Sequence, residues 1–159
     1  MAEPIVEHIA ANIATAVNGI TVAAGYHYGL TAVRPTHLGF EDDEQPEDLT
    51  VLIVQEDPEE DPENASDGNS AMKAWVQPFA LGAFVIESDS STDPIDTRIN
   101  RVRADIEKAL MVDYSRGGYA IDTRIRGSAR FGETSAQSGI AIYVDVLYRT
   151  RINDPYTGA

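Results

Sequence analysis

The sequence predicts an α+β fold in which a mostly antiparallel sheet carries two amphipathic helices on one face. Three observations predict it. Two apolar stripes at helical spacing lie far apart in the chain, several short runs alternate or are β-branched, and nothing repeats the strand-helix-strand rhythm of a parallel α/β sheet. The 159 residues suit one domain, since a chain of that size buries enough surface to support a single core.

Ile5, Ile9, Ile13 and Ala16 recur at steps of four, four and three, which sets them on one face of a helix over residues 4–18. Pro4 suits the first turn, and Asn18-Gly19 is a natural stop. Residues 25–34 alternate, with Tyr26, Tyr28, Leu30 and Ala32 on one side, and read as a strand ended by Pro35. An acidic loop over 38–48 follows. The run 49–54 is apolar and branched, the pattern of a strand buried on both faces. Residues 57–70 combine acids, prolines and Asp67-Gly68-Asn69-Ser70, which predicts an exposed loop.

Residues 72–86 form a strand pair or one bent strand, with Trp75 and Phe79 on one side and a bulge or edge expected at Pro78 and Gly82. The second helix is expected over 94–111. Asp93 stands where a cap belongs, and Ile95, Ile99, Val102, Ile106 and Leu110 form the stripe. A turn at Arg116-Gly117-Gly118 leads to strands near 119–126 and 139–149, the second with Ile140, Ile142, Val144 and Val146 on one face. Residues 150–159 read as an irregular tail. With both helices on one side, the other sheet face must be polar or covered by a partner.

The net charge of −14 is divided unevenly. Residues 1–90 hold 17 acids and 2 bases, whereas residues 91–159 hold 9 acids and 10 bases. That balance argues against a general nucleic-acid binder, which needs clustered Lys and Arg to neutralise phosphates. It allows a basic surface on one copy to meet an acidic surface on another. The absence of cysteine excludes disulfides, thiolate metal sites and thiol nucleophiles. No basic start with an apolar run opens the chain, and no window reaches the ~18 apolar residues of a membrane span. Synthesis in the cytoplasm and no membrane partner are therefore expected.

Motifs that carry chemistry are hard to find. Counted from Asp57, an EF-hand would need glycine where Pro62 stands and glutamate where Gly68 stands. Ser70-Ala71-Met72-Lys73 matches one element of penicillin-recognising enzymes, but the Ser-Asp-Asn and Lys-Thr-Gly elements are missing. His8, His27 and His37 show no metal-ligand spacing, and neither a phosphate-binding loop nor a dinucleotide glycine fingerprint is present. Asn64-Ala65-Ser66 is a glycosylation sequon, which matters only on export. No enzyme activity, cofactor or metal is expected.

What remains is interface. Arg98, Arg101, Arg103 and Lys108 are interspersed with Asp96, Asp105 and Glu107 along the second helix, a pattern that fits a solvated face with local ion pairs or a contact surface rich in arginine. Together with Arg116, Arg149 and Arg151 these arginines form the basic side of a candidate interface, and Asp57, Glu59, Glu60 and Asp61 form the acidic side.

Three stretches carry a resemblance: Ala104-Asp105-Ile106-Glu107-Lys108-Ala109-Leu110, then Asp113-Tyr114-Ser115-Arg116-Gly117-Gly118-Tyr119-Ala120, then Tyr148-Arg149-Thr150-Arg151-Ile152-Asn153-Asp154-Pro155-Tyr156. Taken together over residues 94–156, the chain resembles the small tail-terminator and tail-completion proteins of long-tailed bacteriophages. The resemblance implies a structural α+β subunit of the virion, assembled in the bacterial cytoplasm. It would form a ring, usually hexameric, on the head-proximal end of the tail tube. Its partners would be itself, the tail tube protein and the head-tail connector, with DNA passing through the lumen without specific binding. Two alternatives stand beside it: a head-closure or other neck ring protein, and an acidic regulatory module that occupies a basic partner.

Overall fold

The computed structural model describes residues 1–36, 46–65, 71–86, 91–132 and 138–158. Most of the acidic stretch 38–48, the turn at 67–70 and His37 lie outside the described residues. The fold is α+β as expected, with two helices and a seven-stranded, mostly antiparallel, curled sheet.

Helix α1 spans Ile5–Asn18, and its isoleucine stripe is fully enclosed: Ile9 and Ile13 have no exposed surface. It ends where Gly19 donates its N–H to the Thr15 carbonyl. The predicted strand over 25–34 shrinks to β1, Thr31–Val33: a 3-10 turn over Val22–Ala24, capped by the Thr21 hydroxyl, ends at a left-handed Gly25 (φ 87°), and the His27 N–H is given to the Asp105 carboxylate instead of a neighbouring strand. Strand β2, Thr50–Gln55, buries Val51 and Ile53 and leaves Val54 and Gln55 exposed. It is thus half-buried rather than enclosed on both faces. The segment read as a loop from 57 contains a two-residue strand, β3, Glu59–Glu60, paired with Val76 and Trp75.

Strand β4, Met72–Phe84, runs unbroken through the centre of the sheet, with thirteen consecutive partners on β6, Gly139–Arg151. No bulge forms at Pro78. Its carbonyl accepts the Glu56 N–H, so its N–H-less nitrogen faces the same side, where β2 has ended and β3 has not begun. The ladder bond that proline cannot make falls in that gap. The bulge lies instead in β5, Asp122–Phe131, where the register with β6 shifts between Ile125 and Gly127. The expected tail folds back as β7, Asp154–Gly158, a hairpin partner of β6. Across the sheet the order is β1-β2-β4-β6-β5, with β3 on β4 and β7 on β6, and only β1 runs parallel to its neighbour.

Helix α2, Ile95–Val112, starts at Pro94 without a side-chain cap; Asp93 pairs with Arg101 Nη1 at 2.7 Å instead. Both helices pack on one sheet face, where their stripes meet Val51, Ile53, Phe79, Leu81, Ala83 and the even-numbered residues 140–148 of β6 in one core. Ile106 is completely enclosed there, so truncating it to alanine would cost about 2–5 kcal/mol through lost burial and a cavity.

Candidate assembly surfaces

The ten residues proposed for an interface do not act together. Arg98 is buried on α2, where Nη2 meets Asp48 Oδ2 at 2.8 Å and Nη1 donates to the Ile86 carbonyl. Arg116 is wholly enclosed, holds a left-handed backbone (φ 51°), and donates from Nη2 to the Leu110 carbonyl at the end of α2. Burial lowers its pKa from the usual arginine value. Neither can reach a partner, and both are corrections to the surface reading. The spacing held a signal for Arg98: it falls with Val102, Asp105 and Ala109 at steps of four, three and four, on the buried side of α2. Asp105, also buried, accepts the His27 N–H at 2.8 Å and tethers the segment after α1 to α2.

The remaining arginines of the second part of the chain are largely neutralised at home. Arg101 pairs with Asp93, Arg103 with Glu107, Arg124 with Asp122, Arg130 with Asp96, and Arg126 with Asp145 and, at 3.9 Å, Glu56. Arg149 Nε donates to the Asn64 carbonyl, and the pairing of β3 with β4 sets Glu59, Glu60 and Asp61 at the same end of the sheet as Arg149 and Arg151. Glu60 reaches Lys73 at 3.5 Å. The uneven charge along the sequence is thus partly folded onto itself. Among the described residues, Asp57 and Glu59 have no ion-pair partner.

The surface that charge counting missed is apolar. On the side away from the helices, the sheet presents Leu52 and Val54 of β2, Val76, Pro78 and Ala80 of β4, and Tyr143 of β6. No described helix covers this face. Arg126 lies over the Tyr143 ring at 5.4 Å, and the chain near Asn64 closes one end over buried Ala74. The signal was present in β4 and β6, where both alternating sets of residues contain apolar side chains, a pattern of strands covered on two sides.

Two further apolar features lie at the end of the molecule where β6 finishes. One is a corner after α2 that exposes Met111, Val112, Tyr114, Tyr119 and Ile121. The corner is tightly held. Asp113 accepts hydrogen bonds from the Ser115 hydroxyl at 2.6 Å and the Gly117 N–H at 2.6 Å, and the Thr123 hydroxyl donates to the Tyr114 carbonyl. The Ser115 bond first, and the Gly117 bond after it, hold the Asp113 carboxyl below the usual aspartate range. The other feature is a half-open groove of about 180 Å³, mostly apolar, lined by Pro4, Val6, Pro58, Trp75, Tyr148, Ile152 and Pro155 together with Thr150 and Arg151. Burial pushes the Tyr148 phenol up from its ordinary pKa.

Among the described residues, no helix is long and apolar enough to cross a membrane. No protein-family model matches this chain, and no curated protein matches it.

Proposed function

We propose that this chain is a structural subunit that assembles with copies of itself into a ring at the head-proximal end of a phage tail tube, where it ends tube growth and joins the tail to the head connector. The observation that carries the assembly part is the largely apolar sheet face over which, among the described residues, no helix lies. On this face Val54 is exposed and Leu52, Val76, Pro78, Ala80 and Tyr143 are half-buried, and apolar side chains left at a surface in this way suit an association surface. The placement at a tail rests on the resemblance over residues 94–156, and the α+β architecture agrees with what that resemblance implies.

Deleting the gene in its phage is expected to give headless tails of irregular, extended length beside unjoined filled heads. Normal-length tails attached to heads would rule the reading out. In solution, the purified chain is expected to sediment as a closed multiple of 17.3 kDa.

The acidic-module reading keeps one observation in its favour: Asp57 and Glu59 are exposed and have no ion-pair partner among the described residues. A chain that stays monomeric and binds a basic protein tightly would favour it.

A further inference from the structure

We propose that the corner around Tyr114 of one copy docks into the groove beside Trp75 and Tyr148 of the next, making the contact head-to-tail. This inference rests on the ring reading and names its contact.

Geometry motivates it first. Val6 lines the groove, whereas His8, two residues further along α1 and so about 200° round the helix, stacks on Tyr119 of the corner with ring centroids 4.4 Å apart. Corner and groove therefore lie on opposite sides of α1, and one copy cannot dock its own corner into its own groove. Two different patches that fit each other, carried on one chain, produce a heterologous contact, which closes into a ring when the rotation allows.

Size selects the occupant. A dry cavity of about 150 Å³ accepts a benzene molecule, so a groove of about 180 Å³ accepts one aromatic ring. It falls below the roughly 300–1,000 Å³ of small-molecule sites. Tyr114 is the corner's most exposed aromatic, at 58%, and Val112 beside it is 77% exposed. Three prolines and two aromatic side chains in the groove offer the rigid apolar walls that anchor a buried tyrosine.

Preorganisation and charge point the same way. The hydrogen bonds of Asp113 and Thr123 fix the corner before contact, which lowers the ordering cost of association. Asp57 and Glu59, on either side of Pro58 in the chain, have no ion-pair partner among the described residues. Lys108 stands one helical turn before Val112 and touches only the Tyr26 ring among charged or aromatic neighbours described. A docked corner brings that ammonium toward those carboxylates.

The chain has no cysteine, so introduced thiols report the contact cleanly. A full-length Val112→Cys/Pro155→Cys variant, oxidised at low concentration, is expected to give a covalent ladder ending at the ring size on a non-reducing gel. Adding Tyr114→Ser should cut ladder yield about tenfold or more while the circular dichroism spectrum of the folded chain stays unchanged. If the unaltered chain sediments as a ring but no ladder forms, the docking is wrong and the ring reading stands. If the chain stays monomeric at every concentration and no ladder forms, both fall.

Discussion

Asp48 and Arg98 grip one residue from two sides. Asp48 Oδ1 accepts the Ile86 N–H at 2.9 Å, Arg98 Nη1 donates to the Ile86 carbonyl, and the two side chains join each other at 2.8 Å. The exit of β4 is thereby tied to the start of β2 and to α2, with no sheet ladder needed. The arrangement explains why an arginine can sit on the buried side of a helix: its guanidinium, which would otherwise lack partners away from water, reaches the Ile86 carbonyl and the solvent-accessible Asp48 carboxylate.

Arg98→Met is therefore expected to destabilise the fold by about 2–3 kcal/mol in urea melts, since a charged hydrogen-bond donor is lost and Asp48 and the Ile86 carbonyl are left without it. Assembly size should not change, because Arg98 faces inward. A variant that melts normally but fails to assemble would return Arg98 to the interface.

Arg116 predicts the opposite sign. Its Nε and Nη1 are buried without hydrogen-bond partners among the described residues, so the site carries much of the cost of enclosing a charge and regains the bond to Leu110 and the attraction of Asp113. Arg116→Met should be neutral or stabilise by up to about 2 kcal/mol, read from chemical denaturation. A loss larger than about 2 kcal/mol would mean that ordered water satisfies those nitrogens.

The two helices were legible because the 3.6-residue period is a local property: Ile5, Ile9 and Ile13, and Ile99, Val102, Ile106 and Leu110, declare their faces without knowledge of the rest of the chain. The small strands were not. Glu59 and Glu60 favour solvent, and Asp154-Pro155-Tyr156-Thr157-Gly158 carries turn residues, yet both segments pair because β4 and β6 outrun β2 and β5 and leave edges to be filled. Pairing of this kind is a long-range effect that overrides propensity. The candidate interface met the same obstacle. Counting arginines gave the charge, and the helical steps from Arg98 to Val102, Asp105 and Ala109 carry a sign that Arg98 turns inward, but only the fold shows that Arg116 does so while Tyr114 and Val112 point out.

Acid should loosen the corner before it unfolds the core. Asp113 is held below the usual aspartate pKa by Ser115 and Gly117, and Glu7 below the glutamate value chiefly by its hydrogen bonds to Arg34. For carboxyls lowered in the fold, the stabilisation is complete above the unfolded pKa, about 4, and is lost as pH falls through the lower folded value. The thermal midpoint should hold from neutral pH to about 5 and drop below about 4. Asp113→Asn should flatten part of that drop, and a parallel curve for the variant would show that its hydrogen bonds do not distinguish the charged form.

Salt tests which force governs assembly. Had a basic face met an acidic one, added salt would weaken the contact, because the screening length falls to roughly 3 Å at 1 M. Most of the arginines are instead paired within their own chain, and every copy brings a net charge of −14. Copies therefore repel one another over their whole surfaces, while the cross-contact that Lys108 offers to Asp57 and Glu59 is exposed and worth about 0–1 kcal/mol. Repulsion outweighs that attraction and salt removes it, whereas the apolar contact is insensitive to screening or strengthened by excluded salts. Assembly measured by sedimentation should accordingly become tighter from low to moderate sodium chloride. A contact that dissociates steadily as salt rises would mean that ion pairs between copies, and not the Tyr114 corner or the helix-free face, hold them together.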